Sequence, residues 1–302
     1  MSYKIIAVVG PTAVGKSDVG VKLAQLFDGE IINGDSIQVY RELNIGSAKV
    51  TEEEMGGIPH HLLDYKTVGD EYSVQHFQHD AREKIEEIEE RGHLPVVVGG
   101  TGLYIKALLY DYSFTQIEGQ LSEYEDETTE ELYVRLCRLD PKAVEVIHPN
   151  NRRRIVRALQ MAESGNLKSE QEAGQKHEMI YDAFIVGLTM DRKALKERIS
   201  LRVDRMFENG LVEEVTQLHD KYDWNMHGLH GIGYKEFRDY FPGNITLDEV
   251  RETIKTHTRQ FAKRQYTWWN NQMPVKWYDV SEEDYLEKIV SDIRGWLNET
   301  DD

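Results

Sequence analysis

The sequence predicts an α/β protein, a parallel sheet flanked by helices, and three observations carry that prediction. Ile5–Val9 and Pro95–Val98 are short apolar runs of the kind that form strands buried on both faces. Each runs into a glycine-rich turn, Gly10–Gly15 in the first case and Gly99-Gly100 in the second. Each turn is followed by a stretch with apolar residues at helical spacing, and strands that alternate with helices require crossover connections lying on the sheet.

The elements follow in order. Ser17–Phe27 carries Val21, Leu23, Ala24 and Leu26 as a helix, and Glu30–Asn33 reads as a second strand. Ser73–Arg91 is a long charged helix with Phe77, Ala81, Ile85 and Ile88 on one stripe, and Leu103–Leu109 is a further helix. The pattern then changes. Residues 113–131 are acidic, poor in aliphatics and expected to form a loop. Glu131–Leu139, Pro141–Ile147 and Arg152–Ser164 read as short helices, the second with proline in its first turn. Residues 164–176 are polar again, and AFIVGLT at Ala183–Thr189 restores a buried strand. The C-terminal third is helical: Leu195, Ile199, Val203 and Met206 mark one stripe, and Leu247, Val250, Ile254, Phe261 and Trp268 another. Pro274–Tyr278 is expected as an edge strand and Tyr285–Leu297 as a closing helix. The predicted organisation is a core of residues 1–112 and 183–302, interrupted by a helical insertion at 113–182.

Composition narrows the class. A single cysteine, Cys137, excludes a disulfide framework and a Cys-rich zinc site and points to a reducing compartment. No apolar run approaches the roughly 20 residues of a membrane span, and the N-terminus does not read as a signal peptide. A cytoplasmic protein with no membrane association is expected, and no obligate protein partner is evident. The net charge of −18 argues on its face against a nucleic-acid partner, so the placement of the 36 basic residues matters more than their sum.

Gly10, Pro11, Thr12, Ala13, Val14, Gly15, Lys16 and Ser17 fit the P-loop pattern of a glycine, four residues and Gly-Lys-Ser, between an apolar strand and an amphipathic helix. Glycines let backbone N–H groups turn around phosphate oxygens, and the helix N-terminus adds partial positive charge. Lys16 neutralises the terminal phosphate, and the Ser17 hydroxyl suits Mg²⁺. The fold class is therefore P-loop NTPase-like. Such a loop specifies polyphosphate and no particular reaction. Asp35, beyond the second strand, reads either as a general base facing an acceptor or as a metal-supporting or helix-capping residue.

Six blocks together resemble the tRNA dimethylallyltransferases (isopentenyl-tRNA transferases). They are GPTAVGKS from Gly10, DSIQVYRELNIGSAK from Asp35, GGTGLY from Gly99, IHPNNRRRIVRAL from Ile147, GIGYKE from Gly231 and TRQFAKRQYTWW from Thr258. The resemblance implies transfer of dimethylallyl from its diphosphate to the exocyclic amine (N6) of the adenosine just 3′ of the anticodon (adenosine-37), with Mg²⁺. It gives Asp35 the role of base and places Thr101 at the oxygen bridging carbon and phosphorus, with a helix N-cap as the alternative. Arg198, Arg202 and Arg205 share a helix face, which is either a solvated surface or a clamp on the diphosphate. The resemblance favours Arg202, then Arg198, as catalytic residues.

Two basic clusters answer the charge objection: Arg152, Arg153, Arg154 and Arg157 in one, Arg259, Lys263 and Arg264 in the other. The second lies beside His257, Tyr266, Trp268 and Trp269, and cations interleaved with rings suit unpaired RNA, although a solvated helix face is the alternative for either cluster. The acidic excess concentrates elsewhere, at Glu52–Glu54, Glu83–Glu90 and Glu118–Glu131. The resemblance maps contacts with the tRNA anticodon stem-loop onto Asp35, Ser36, Ile37, Gln38, Thr101, Arg153, Arg154, Ile155, Val156 and Arg157. Ser36, Gln38 and Tyr40 suit the holding of an extruded adenine, and Gln can pair bidentately with its edge. Three features depart from the family pattern: Asn151 stands where aspartate is usual, Arg153 where a neutral residue is usual, and the segment Ser113 to Glu131 is shorter and more acidic. Rival readings are a P-loop small-molecule kinase, a free-adenylate prenyltransferase and a non-catalytic RNA-binding module.

Overall fold

The computed structural model describes residues 3–114, 124–174 and 178–299. Six strands form one sheet in the order β3-β2-β4-β1-β5-β6. These are β1 (Lys4–Val9), β2 (Gly29–Asn33), β3 (His60–His61), β4 (Leu94–Val98), β5 (Asp182–Thr189) and β6 (Lys276–Asp279). Every pairing is parallel, so every connection crosses over the sheet. Ile5–Val9 is fully buried, with β4 on one side and β5 on the other, which is why its sequence carries no polar face.

The helices are α1 (Lys16–Leu26), α2 (Glu52–Met55), α3 (Val74–Glu90), α4 (Gly102–Leu109), α5 (Thr129–Leu139), α6 (Arg152–Glu163), α7 (Lys168–Gly174), α8 (Arg192–Glu208), α9 (Leu211–Lys221), α10 (Leu247–Gln272) and α11 (Tyr285–Asn298). Helix α1 buries Val19, Val21, Leu23 and Ala24 and lies close to β4, since a methyl added at Gly20 would sit 2.5 Å from Val98 Cγ2. Helix α3 opens with a capping box between Ser73 and His76 and buries the expected Phe77, Ala81, Ile85 and Ile88. No helix among the described residues is long and apolar enough to cross a membrane.

The chain divides into two compact units, Met1–Leu109 with Met179–Asp302, and Tyr110–Glu178. The smaller unit has its own core of Leu132, Leu136, Ile147, Ile155 and Leu159, between α5 and α6. Asn151 caps α6 by accepting from Arg154 N–H at 3.3 Å, a role asparagine fills as well as aspartate. Much of the acidic segment, residues 115–123, lies outside the described residues, as do 175–177.

Two expectations need correction. The helix expected at Pro141–Ile147 is one 3₁₀ turn, Ala143–Glu145, in which Glu145 N–H donates to Lys142 O and Val146 N–H to Ala143 O, both at 3.3 Å, bonds that span three residues and not four. On α10 the buried residues are Val250, Ile254, Ala262, Gln265 and Trp269, while Leu247, Phe261 and Trp268 are half-buried. Phe261 and Trp268 each precede a core residue by one step, about 100° around the helix, so they flank the buried stripe.

Candidate active site

The carboxyl ends of β1, β2 and β4 open into a cleft of ≈ 810 Å³, lined by the P-loop, Asp35, residues 44–51 and the inner face of α8. The loop backbone requires its glycines. Gly10 has φ +143° and a methyl there would meet Leu188 O at 2.6 Å, and Gly15 has φ +105°. Lys16 Nζ donates to Pro11 O at 2.8 Å. Burial pushes the Lys16 ammonium down to about 8, against the opposing pull of Asp35, and the nearby Arg202 guanidinium lowers it further. The Ser17 hydroxyl belongs to an exposed residue on the cleft wall.

Helix α8 buries Ile199, Val203 and Met206 and lines the cleft with Arg198, Leu201, Arg202 and Arg205. Arg202 Nη1 donates to Thr12 Oγ1 at 3.3 Å. Burial lowers its guanidinium, Asp35 opposes that shift, and Arg198 adds to it. Arg198 is more exposed, and a methyl at Gly15 would lie 3.6 Å from its Nη2, so its charge lies over the loop. This face of α8 therefore borders the cleft rather than bulk water alone.

Asp35 caps a turn and lines the cleft at once. Its Oδ1 accepts from Ile37 N–H at 2.9 Å and Gln38 N–H at 3.3 Å, while Oδ2 has no hydrogen-bond partner among the described residues. The Thr101 hydroxyl accepts from Ser36 N–H at 3.1 Å and donates to Ser36 Oγ at 3.4 Å, and it makes no capping bond to α4. Thr101 and Ser36 do not themselves line the cavity, but they adjoin Gly100 and Asp35, which do.

Two acceptor-site expectations change. Both amide hydrogens of Gln38 are taken, by Ser47 O and Ala48 O at 3.1 Å each. Gln38 thus offers an adenine its Oε1 acceptor and not a bidentate edge. Tyr40 is fully buried, its phenol pushed up to about 12 chiefly by burial, so it supports the turn from beneath and cannot hold a base.

Several residues with no sequence motif of their own hold the cleft together. Glu214 on α9 accepts from three consecutive N–H groups, Asn44 at 3.1 Å, Ile45 at 2.8 Å and Gly46 at 3.1 Å. Tyr234 donates to Glu214 at 2.9 Å and accepts from Ser47 N–H at 3.1 Å. Gln265 on α10 touches both the P-loop and Gly100. Tyr234 and Gln265 do lie inside blocks that resemble the family, which was the available signal.

The basic clusters are unequal. Arg153, Arg154 and Arg157 are exposed on α6, whereas Arg152 points inward to the carbonyls of Glu127 and Tyr124. Ile155 and Val156 are corrected: these residues are 0% and 2% exposed, in the core of the smaller unit, so neither offers RNA a surface. In the α10 cluster Lys263 and Arg264 are exposed and Arg259 is half-buried, donating to Ser200 Oγ at 3.1 Å. The interleaved rings are not free platforms. Trp269 is fully buried, Trp268 packs against Gly102, Tyr266 lies 4.8 Å from the Trp277 ring, and His257 is bonded to Glu236 at 2.7 Å.

A sequence model of the family described as IPP transferase matches residues 38–272. A tRNA dimethylallyltransferase from Anoxybacillus flavithermus is 45% identical over 301 residues, covering 98% of this chain and 97% of the relative. The crystal structure of a tRNA isopentenylpyrophosphate transferase from Bacillus halodurans is similar at 42% identity and TM-score 0.76, covering 97% of this chain and 96% of that one. The structure of a eukaryotic dimethylallyltransferase acting on tRNA has a TM-score of 0.84 at 31% identity, with coverage of 96% and 78%. With the P-loop, the Asp35 turn and the α8 arginines around one cleft, and with relatives matched along nearly its whole length, the chain belongs to the tRNA dimethylallyltransferase family.

Proposed function

We propose that this protein transfers a dimethylallyl group from dimethylallyl diphosphate to N6 of the adenosine 3′ to the anticodon of tRNA. The observation that carries the reading is the meeting of Lys16, Arg198 and Arg202 with Asp35 in one cleft. The exocyclic amine of adenine is a weak nucleophile, because its lone pair is conjugated with the ring. Two demands follow: stabilise the departing diphosphate, and accept the amine proton.

The P-loop N–H groups, Lys16, Arg202 and Arg198 meet the first demand. As the bond from C1 of the dimethylallyl group to the diphosphate oxygen breaks, the electron pair leaves with the oxygen and is met by these charges. The N6 lone pair forms the new bond to C1, and the N6 proton passes to Oδ2 of Asp35, the oxygen not used in the turn. Thr101, held against Ser36, steadies the side of the site next to Asp35.

Mg²⁺ fits the donor set. The cleft offers a hard oxygen donor, the Ser17 hydroxyl, while no group of three or more His, Cys, Asp or Glu side chains among the described residues forms an all-protein cage. Few protein ligands suit an ion that keeps waters and takes phosphate oxygens. Bound there, it would add charge on the diphosphate. The exposed Arg153, Arg154 and Arg157 support a tRNA-contacting role for the smaller unit, and the single free Cys137 accords with a cytoplasmic setting.

Labelled dimethylallyl diphosphate with Mg²⁺ and, separately, unmodified tRNA, AMP or ATP tests the reading. Label is expected in tRNA alone, at the adenosine 3′ to the anticodon. Label in AMP or ATP, or none in any acceptor, contradicts it.

A further inference from the structure

Gln265 is only 6% exposed, and its amide is bonded to two segments remote in sequence. Its Oε1 accepts from Thr12 N–H at 2.8 Å and its Nε2 donates to Gly100 O at 2.8 Å. A methyl at Gly100 would lie 2.3 Å from Gln265 Nε2 and 3.6 Å from Lys16 Nζ. The amide therefore sits beside both the P-loop lysine and the turn that leads into Thr101. A side-chain amide accepts from one backbone and donates to the other without bringing charge.

We propose that Gln265 is a positioning residue that sets the spacing between the P-loop and the Gly99–Gly102 turn. This rests on the reading of the cleft given above. Thr12 is also the residue that receives Arg202, and Gly100 precedes Thr101, whose hydroxyl holds Ser36 beside Asp35. One amide thus joins the group of cations on the diphosphate to the edge that carries the base. Release of the tie lets the two halves of the reaction drift apart, and a misplacement of about 1 Å costs about 10²-fold in rate.

The test compares Gln265→Met and Gln265→Glu with the wild-type chain by steady-state prenylation of tRNA, tRNA filter binding and thermal melting. Gln265→Met keeps the volume and loses both bonds. Its kcat, corrected for folded fraction, is expected to fall about 10–10²-fold with the Kd for tRNA unchanged within about twofold. Gln265→Glu keeps the acceptor for Thr12 but puts an anion beside Lys16, and is expected to raise KM for dimethylallyl diphosphate about tenfold, with a smaller loss of kcat than in the Met variant. A Met variant with wild-type kcat per folded molecule overturns the proposal. Should that variant fail to fold, an unchanged kcat in Gln265→Glu, which loses the bond to Gly100 O, overturns it instead. Failure of the wild-type chain to label tRNA would refute the function and not the positioning role. Titration with inorganic diphosphate then decides the latter: weaker binding by Gln265→Met supports it, and equal binding overturns it.

Discussion

Arg202 on α8 is tied to the phosphate loop through Thr12, its Nη1 donating to Thr12 Oγ1 at 3.3 Å. The bond joins a helix that begins nearly two hundred residues along the chain to the first glycine-rich turn, and it holds a guanidinium in the field of Asp35. Arg202→Ala is expected to lower kcat/KM for dimethylallyl diphosphate by about 10²-fold or more, because the cation meets charge that grows as the leaving group departs. Affinity for tRNA should stay within about twofold. Steady-state kinetics with filter binding checks both, and an equal loss in the two would move Arg202 to the RNA.

Lys16 makes the site sensitive to pH. With its ammonium lowered to about 8, the free protein loses that charge as pH rises through this value. The expected profile of kcat/KM for dimethylallyl diphosphate falls above about pH 8, because only the protonated form meets the phosphate. Lys16→Ala should lower the whole profile and remove that limb, with tRNA binding nearly intact. A wild-type profile flat from pH 7 to pH 10 would contradict the assignment.

Glu30 contributes to stability against acid. Its hydrogen bonds with Arg91 are the largest cause of a carboxyl held at about 2 rather than the ordinary 4.5, and His61 adds to the shift. Because the folded value is the lower one, the contribution is fully present above pH 4.5 and is lost as pH falls through about 2. Arg91 is 43% exposed, which screens the pair, so Glu30→Gln should cost about 1–2 kcal/mol at pH 7. Denaturant melts from pH 7 to pH 2 check it: the gap between variant and wild type should narrow toward pH 2.

Charge reversal at Arg153 and Arg154 should weaken all tRNAs alike. The slope of log K against log salt should fall by up to about 1 for each phosphate that is no longer neutralised. Both side chains are exposed on α6. An unchanged slope would make that helix face an ordinary solvated one.

Much of the fold was legible because β1, β4 and β5 are short apolar runs and α1 and α3 have clean helical stripes. Strand β3 was not, since His60–His61 is too short to show a period and exists only by pairing with Ile31 and Ile32. Helix α9 escaped although Leu211, Val215 and Leu218 stand at helical spacing. At the site, the P-loop and Asp35 announce themselves by local pattern. Glu214 and Gln265 do not, because they act on backbone groups 165 to 253 residues away in the chain. The aromatic–basic stretch of α10 misled for a related reason: spacing shows that Trp268 and Trp269 are near the cations, but only packing shows that Trp269 is internal.

The proposed transfer of the amine proton to Asp35 is tested most directly by Asp35→Asn. Asparagine retains Oδ1, so the bonds from Ile37 N–H and Gln38 N–H that shape the turn survive, and the fold and tRNA affinity should be kept. What is lost is the basic oxygen. Single-turnover prenylation of tRNA, measured across a Mg²⁺ series beside a thermal melt, is expected to slow by about 10²–10⁴ at every Mg²⁺ concentration with little change in Tm. Restoration of the rate by excess Mg²⁺ would instead make Asp35 a support for the metal. A Tm loss corresponding to about 1 kcal/mol, with the rate unchanged, would reduce it to a cap and contradict its role as the base.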